Sequence, residues 1–429
     1  MKTGPLKVLS VCTSDSSGGA ARAAYRIHLA VQSYGIESKM FVKQKETGNS
    51  DVIPLSDFIP KNPFYRTFDW IRNKVYNKWQ HYIWRKYPNR SSYFMSDLRS
   101  TDIGGALQII DYDILHLHWI NLRFLPLDKL PKDKPIVWTL HDSWPFCGVC
   151  HYFFDCDKYL RECGNCPSLS SRDANDISHV VWKEKRKIYK NLNLHIVTPS
   201  RWLGDCAKKS ALLLEFPIKV IPNCIDTSIF RPLEEQELSP RWRELQEKKV
   251  EKPLVLYGAI NVTTDKRKGF AYLLSALMTL QEQGDDNRFE MVVFGTGKPL
   301  DEVETSIPIH YVGHITDEKE IVSLYNLASA MVVPSLTENL SCTIMESLSC
   351  GTPVVAFNIG GNGDMIDHLE NGYLAQERNS KDFAHGILWC LENNKDGHMS
   401  QNARQKVLDN FTPEVVGGKY SDLYKNILH

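Results

Sequence analysis

No stretch of this 429-residue chain approaches the length of a membrane-spanning helix. Net charge is also missing: 51 Lys and Arg balance 51 Asp and Glu, so no global field favours nucleic acid or a membrane surface. The apolar run after the first few residues is too brief for a secretory signal, and the expected compartment is the cytoplasm. There is no internal repeat and no low-complexity tract. No Gly-x-Gly-x-x-Gly opens the first helix, which disfavours a dinucleotide-dependent oxidoreductase. Eleven cysteines are many, but the chain's size and the missing signal argue against a disulfide scaffold.

The length suits two domains of about 200 residues each. Short β-branched runs alternate with amphipathic stretches, the pattern of βαβ units around parallel sheets. Strands are expected at 7–12, 39–42, 114–118, 136–141, 195–198 and 219–221, and again at 254–259, 289–294, 310–312, 330–333 and 353–357. A charged, proline-flanked stretch suggests a linker over 226–252, between an N-terminal domain (1–225) and a C-terminal domain (253–411). A last helix over 412–429, with Val416, Tyr420, Leu423 and Tyr424 at helical spacing, is expected to pack back on the first domain. Open parallel sheets bind ligands outside their C-terminal strand edges. Two of them facing an interdomain cleft would suit a two-part substrate.

The most informative segment is 334–357. A buried strand ends at Pro334, a loop follows, and a helix begins near Ser341, a suitable N-cap. The first backbone N–H groups of such a helix bind phosphate well. Glu338 lies in the loop, where a carboxylate can grip sugar hydroxyls, and Glu346 lies along the helix, where it could take a ribose diol. The plainer reading is a strand-loop-helix with two surface glutamates. However, Glu338 and Glu346, with seven residues between them, resemble the E-x7-E motif of retaining glycosyltransferases of family 4, and the run TENLSCTIMESLSCGTPVVAF looks like the colanic-acid-type polysaccharide branch. The resemblance covers nearly the whole chain. It implies the GT-B fold, two Rossmann-like α/β domains, and a donor site that includes Asn339, Leu340, Ser341, Cys342 and Thr343.

Other elements take their meaning from that resemblance. Gly18 and Gly19 open the first helix; adjacent glycines let a backbone approach a ligand, and they are similar to the family's first glycine-rich loop. His141 ends a strand, where a lone histidine is more often structural; it matches the family's cleft histidine, whose implied role is contact with the donor sugar, with Asp142 placed to orient it. Lys268 precedes a glycine at a helix start, where it can neutralise a diphosphate, and it matches the family's lysine. The family's arginine is replaced by Ala259, which leaves Arg267 as the nearest substitute cation. The Gly-x-Gly after Phe294 would fit a plain turn, and in the family it lies near the base.

Cys150, Cys156, Cys163 and Cys166 fall in one polar stretch, with Cys147 just before. Spacing alone allows two zinc ligand sets: Cys147 and Cys150 with Cys163 and Cys166, or Cys150, Cys156, Cys163 and Cys166; His151 could substitute. A subset of family-4 polysaccharide enzymes resembles the second set, which implies a closed structural zinc. Reduced thiols in a loop are the plainer alternative. Residues 61–90 hold eight Lys or Arg against one acid. Phe64, Phe68, Ile71, Val75, Trp79 and Ile83 form a helical stripe, read first as core-facing and second as a peripheral membrane contact.

The implied reaction moves a hexosyl group from a nucleotide diphosphate sugar to an acceptor hydroxyl, with retention and without a catalytic metal, since nothing resembles a metal-binding Asp-x-Asp donor site. The acceptor expected from the branch is a lipid-linked saccharide of cell-surface polysaccharide or lipopolysaccharide synthesis, on the inner face of the membrane. The alternatives are a nucleotide-sugar epimerase or hydrolase on the same fold and a zinc-bearing nucleic-acid module, the latter disfavoured by the zero net charge; no nucleic-acid partner is expected.

Overall fold

The computed structural model describes residues 4–59, 63–91, 104–258, 265–298 and 305–429. The chain divides into two compact units, one running to Ile221 and taking back Gly417–His429, the other Pro222–Val416.

The first unit follows β1 (Lys7–Ser14), α1 (Gly19–Gln32), β2 (Glu37–Gln44), β3 (Val52–Pro54), α2 (Pro63–Lys86), α3 (Gly104–Ile109), β4 (Ile114–Leu117), β5 (Pro135–Thr139), α4 (Ile177–Tyr189), β6 (Asn193–Thr198), α5 (Arg201–Lys209) and β7 (Ile218–Val220). Its strands pair in parallel in the order β3-β2-β1-β4-β5-β6-β7. The second unit contains α6 (Arg243–Glu251), β8 (Leu254–Gly258), α7 (Phe270–Gln283), β9 (Glu290–Phe294), β10 (Ile309–Gly313), α8 (Glu318–Leu327), β11 (Ala330–Val333), α9 (Cys342–Ser349), β12 (Val354–Phe357), α10 (Asn362–Met365), β13 (Gly372–Ala375), α11 (Ser380–Asn393) and α12 (His398–Asn410). Its strands are also parallel, in the order β10-β9-β8-β11-β12-β13.

Both sheets are doubly wound. In each, the chain runs outward from a central strand and then restarts on that strand's other side, at β1/β4 and β8/β11. Ligands of such sheets bind at the C-terminal ends of the strands flanking this switch point. Burial on both faces explains the strand composition: β1 is buried at every position after Lys7, and β8, β11 and β12 are buried throughout.

Two strands lie outside those expected from sequence, β3 and β13. Both are short edge strands, three and four residues long, and β3 ends in a proline. The charged stretch read as a linker is folded onto the second unit's core. Trp242 and Leu245 are buried there, and Trp242 Nε1 donates to Glu320 O at 3.2 Å. The last helix, α13 (Pro413–Leu428), buries Tyr420 and Tyr424 in the first unit. Tyr424 Oη lies 2.7 Å from His116 Nδ1, and Tyr420 Oη 2.8 Å from Thr139 Oγ1.

Helix α2 departs from the core-facing reading. Ile83 is buried and Trp79 packs partly on the core, but Phe64 is 88% exposed and Val75 61%. Trp70, Ile71, Tyr82 and Trp84 are exposed as well. The Phe68 side chain and Lys61 lie outside the described residues. Among the described residues no helix is long and apolar enough to cross a membrane.

Candidate active site

In the second unit the two segments after β8 and β11 meet at the switch point. Residues 266–268 form a single helical turn started by Asp265, whose carboxylate accepts from Arg267 N. Gly269 follows with φ of +69°, and a Cβ there would overlap the Pro334 carbonyl. Gly360 does the same on the other side, where a Cβ would overlap the Glu338 carbonyl. Glycine at these two places lets the β8 and β12 loops close on the loop after β11. Leu336 N donates to Arg267 O at 2.8 Å and completes the clamp.

Lys268 and Glu338 are thereby brought together, with Nζ donating to Oε1 at 2.7 Å. Both are mostly shielded, the side chains 29% and 15% exposed. Arg267 faces a different partner. Its Nε and Nη2 donate to the two oxygens of Asp265 at 3.1 and 2.6 Å, so its charge is already matched. Ala259 lies outside the described residues.

Ser341 stands at the N-cap position of α9, with extended backbone, but its hydroxyl does not cap the helix. It lies 3.0 Å from the Thr343 hydroxyl instead. Leu340 is buried, Cys342 and Thr343 are half-buried, and Asn339 is half-buried in the loop. One turn on, Glu346 is 4% exposed, and its Oε2 accepts from Tyr325 Oη at 3.0 Å. Tyr325 is fully buried on α8; burial first, and then Glu346, hold its hydroxyl well above the usual pKa. Nothing in the sequence singles Tyr325 out, because it sits in a core-facing row with Ile321, Val322 and Leu324. Phe294 meets its ring edge-on at 6.1 Å between centroids.

In the first unit Gly18 adopts φ of +91° and starts α1 without a side-chain cap, and Gly19 is exposed beside it. Nearby, Asp15 is buried and accepts from the backbone of Glu46 and Thr47 at 2.9 Å each. His141, just after β5, keeps partial exposure. Its Nε2 lies 3.1 Å from His118 Nδ1. Burial, partly offset by Asp142, pushes its pKa down to about 4. Asp142 does not orient His141: its carboxylate accepts from Trp119 Nε1 at 2.9 Å and Trp144 N at 2.8 Å, and lies 2.6 Å from His151 Nδ1. Burial alone would raise the Asp142 pKa, but His151 and the hydrogen bonds from Trp144 and Trp119 together bring it below its usual value.

The expected zinc site is not supported. Among the described residues no group of three or more His, Cys, Asp or Glu is arranged to hold a metal ion. None of the eleven cysteines is in a disulfide. Cys147, Cys150, Cys163 and Cys166 are buried in the hydrophobic core with Trp144, Phe146 and Tyr159, and Cys156 is half-buried. Cys163 Sγ accepts from Gly148 N at 3.2 Å. The loop's polar anchor is Lys185, which the sequence did not reveal. It is fully buried, donates to Trp144 O, Cys147 O and Gly148 O, and lies 3.5 Å over the Trp144 ring.

Comparison with known proteins fits this geometry. Residues 240–406 match the family described as glycosyl transferases group 1, and residues 17–229 match glycosyltransferase family 4. A putative colanic acid biosynthesis glycosyl transferase of Escherichia coli is 27% identical over 58% of this chain and 59% of that one, so the match covers less than two thirds of the relative's length. A glycosyltransferase structure from Rickettsia africae superposes with a TM-score of 0.63 at 17% identity, covering 99% of both chains. The Anabaena protein HepE, solved with UDP-glucose, gives 0.62 at 14% identity, covering 98% of this chain and 100% of that one. The two family matches fall largely one on each unit and together span most of the chain, which therefore belongs to glycosyltransferase family 4 and has the GT-B fold.

Proposed function

We propose that this protein transfers a hexosyl group from a nucleotide diphosphate sugar to an acceptor hydroxyl with retention at the anomeric carbon. The acceptor is a lipid-linked saccharide of cell-surface polysaccharide synthesis. The observation that carries this reading is the Lys268–Glu338 ion pair at the β8/β11 switch point, with Glu346 one helical turn into α9. Glu338 holds the donor sugar and Glu346 the ribose. Lys268 and the first turn of α9, with Asn339, Leu340, Ser341, Cys342 and Thr343 around it, meet the developing diphosphate charge. Arg267 has the lesser part, since Asp265 already matches its charge. Gly18 and Gly19 lie against donor or acceptor, and His141 contacts the donor sugar. No enzyme nucleophile is assigned; the leaving phosphate takes the acceptor proton.

Two facts about relatives support the substrate class: HepE was solved with UDP-glucose, and the E. coli relative is named for colanic acid synthesis. The exposed aromatic residues of α2, on a helix carrying Arg72, Lys74, Lys78, Arg85 and Lys86, suit peripheral contact with an anionic membrane that presents such an acceptor. The test is a panel of nucleotide sugars scored by thermal stabilisation and then by transfer to a lipid-linked acceptor. A true donor raises the melting temperature by mass action. A panel without any stabilising nucleotide sugar would overturn the proposal.

A further inference from the structure

We propose that His118 positions His141, holding it in the tautomer that carries its proton on Nδ1 and commits Nε2 as an acceptor. The inference rests on the proposed place of His141 at the donor sugar, and it concerns what fixes that ring.

The two rings are stacked, 5.3 Å between centroids and 24° apart in plane, with His118 Nδ1 and His141 Nε2 separated by 3.1 Å. Two neutral arrangements can share the proton between these atoms. In one, His118 donates from Nδ1, and its Nε2 is left as a bare lone pair. In the other, His141 donates from Nε2, and His118 must carry its own proton on Nε2. His118 is 2% exposed and its Nε2 has no hydrogen-bond partner. Orphaned buried N–H groups are rarer than under-used acceptors, so the first arrangement is favoured. A third arrangement, with either ring charged, is opposed at His118 by burial and the neighbouring imidazoles and at His141 by burial, which Asp142 only partly offsets. The His116 ring lies 4.1 Å from the His118 ring between centroids, tilted by 41°, and the pKa values of all three rings are depressed.

Asp142, the carboxylate next in sequence, is engaged by Trp119, Trp144 and His151. His116 is itself fixed between Thr139 and Tyr424, which keeps the His118 ring from swinging away. The order of support therefore runs from α13 through His116 and His118 to His141. A His141 held this way offers the reaction an N–H from Nδ1 and no base at Nε2. That agrees with a transfer in which the leaving phosphate takes the acceptor proton.

The test is long-range proton–nitrogen correlation spectroscopy on the full chain with isotope-labelled histidine, recorded without donor, for the wild type, His118→Phe and His118→Gln. Melting temperature and circular dichroism establish that each variant is folded. The wild type should show His141 protonated on Nδ1. His118→Phe should move it towards the Nε2–H form and lower turnover by up to about 100-fold, with KM for the donor changed less than about threefold. His118→Gln, which restores a side-chain donor, should recover the Nδ1–H form and part of the turnover. Finding the wild-type His141 as Nε2–H, or as Nδ1–H in both wild type and His118→Phe, overturns the inference. A shifted tautomer with unchanged turnover upholds the positioning and counts instead against His141's place at the donor sugar.

Discussion

Replacing Glu338 by glutamine should separate two consequences that a simple loss-of-function variant would merge. Without a ligand, Lys268 is already satisfied by Glu338 at 2.7 Å. A diphosphate must therefore compete with that carboxylate for the ammonium. A partly shielded pair of this kind is worth about 1 kcal/mol. Glu338→Gln removes the competitor while nearly preserving shape, so a nucleoside diphosphate without sugar should bind about fivefold more tightly. Turnover of the sugar donor should move the other way. Loss of one charged contact aimed at the transition state costs about 3 kcal/mol, or about 100-fold in kcat. Lys268→Ala should weaken both, with diphosphate binding falling at least about tenfold through loss of a charge-assisted hydrogen bond. The melting temperature should drop only a few degrees in either case, because about 1 kcal/mol shifts a unit of this size by about 2–4 °C. Isothermal titration of the diphosphate and initial-rate kinetics of the sugar donor give the two readings. If Glu338→Gln weakens diphosphate binding and Lys268→Ala leaves it unchanged, the diphosphate does not meet Lys268, and the reasoning fails.

Tyr325→Phe should raise KM for the donor about tenfold with little change in kcat, since it frees the Glu346 carboxylate to rotate; with a donor analogue lacking the ribose hydroxyls, wild type and variant should be equal. Lys185→Met should cost about 3 kcal/mol in denaturant unfolding, because three loop carbonyls lose their donor; an unchanged midpoint would contradict that anchoring role. His28 is fully buried, and burial, partly offset by Asp51, lowers its pKa to about 4. The unfolded chain then binds the extra proton first as pH falls from about 6.5 to about 4, so stability is full above that window and declines within it by about 1.4 kcal/mol per pH unit for this residue. His28→Gln should flatten that decline in urea midpoints. Reversing Arg72, Lys74 and Lys78 to glutamate should abolish sedimentation with anionic liposomes and leave neutral liposomes unaffected; equal binding before and after would remove α2 as the contact.

Strands were legible in the sequence wherever a parallel sheet buries them on both faces, because such strands read as continuous apolar runs. Of the four edge strands, those at 52–54 and 372–375 escaped, whereas those at 218–220 and 309–313 were expected although neither is fully buried. The Glu338–Glu346 spacing was legible because it is local. The partners of those residues were not. Lys268 reaches Glu338 across 70 positions, and Tyr325 reaches Glu346 from a different helix. Local guesses about partners failed in a consistent way. Asp142 adjoins His141 in sequence, yet consecutive residues leaving a strand point apart, and its carboxylate went to His151 and the Trp119 indole. Ser341 occupies a cap position but bonds to Thr343. The cysteine spacing resembles a zinc knuckle, but no metal-holding group is found among the described residues, and the contacts visible in that loop are apolar burial and the Lys185 hydrogen bonds.

These cases share a topological cause, and it bears on where further substitutions will matter. In each sheet the chain doubles back once, so two strands distant in sequence become neighbours and the segments leaving them share one edge. In the second unit those segments follow β8 and β11 and supply Lys268 and Glu338. In the first unit the corresponding strands are β1 and β4, and Gly18 and His118 follow them, with His141 one strand further along. The units thus bring the residues proposed for the chemistry together by the same route, although the residue types differ. Substitutions at the opposite, N-terminal strand ends should therefore act through stability alone. Arg404 tests this directly. It joins the Ser349 carbonyl at the end of α9 to the Phe230 and Thr227 carbonyls, on the far edge of the sheet from Lys268. Arg404→Met should lower the unfolding midpoint, since four acceptors lose a charged donor. Below that midpoint, kcat and donor KM should stay at wild-type values. A change in KM at temperatures where the variant is fully folded would mean that the two edges of the sheet are coupled, and that the donor loop is held less rigidly by Gly269 and Gly360 than their close approach implies.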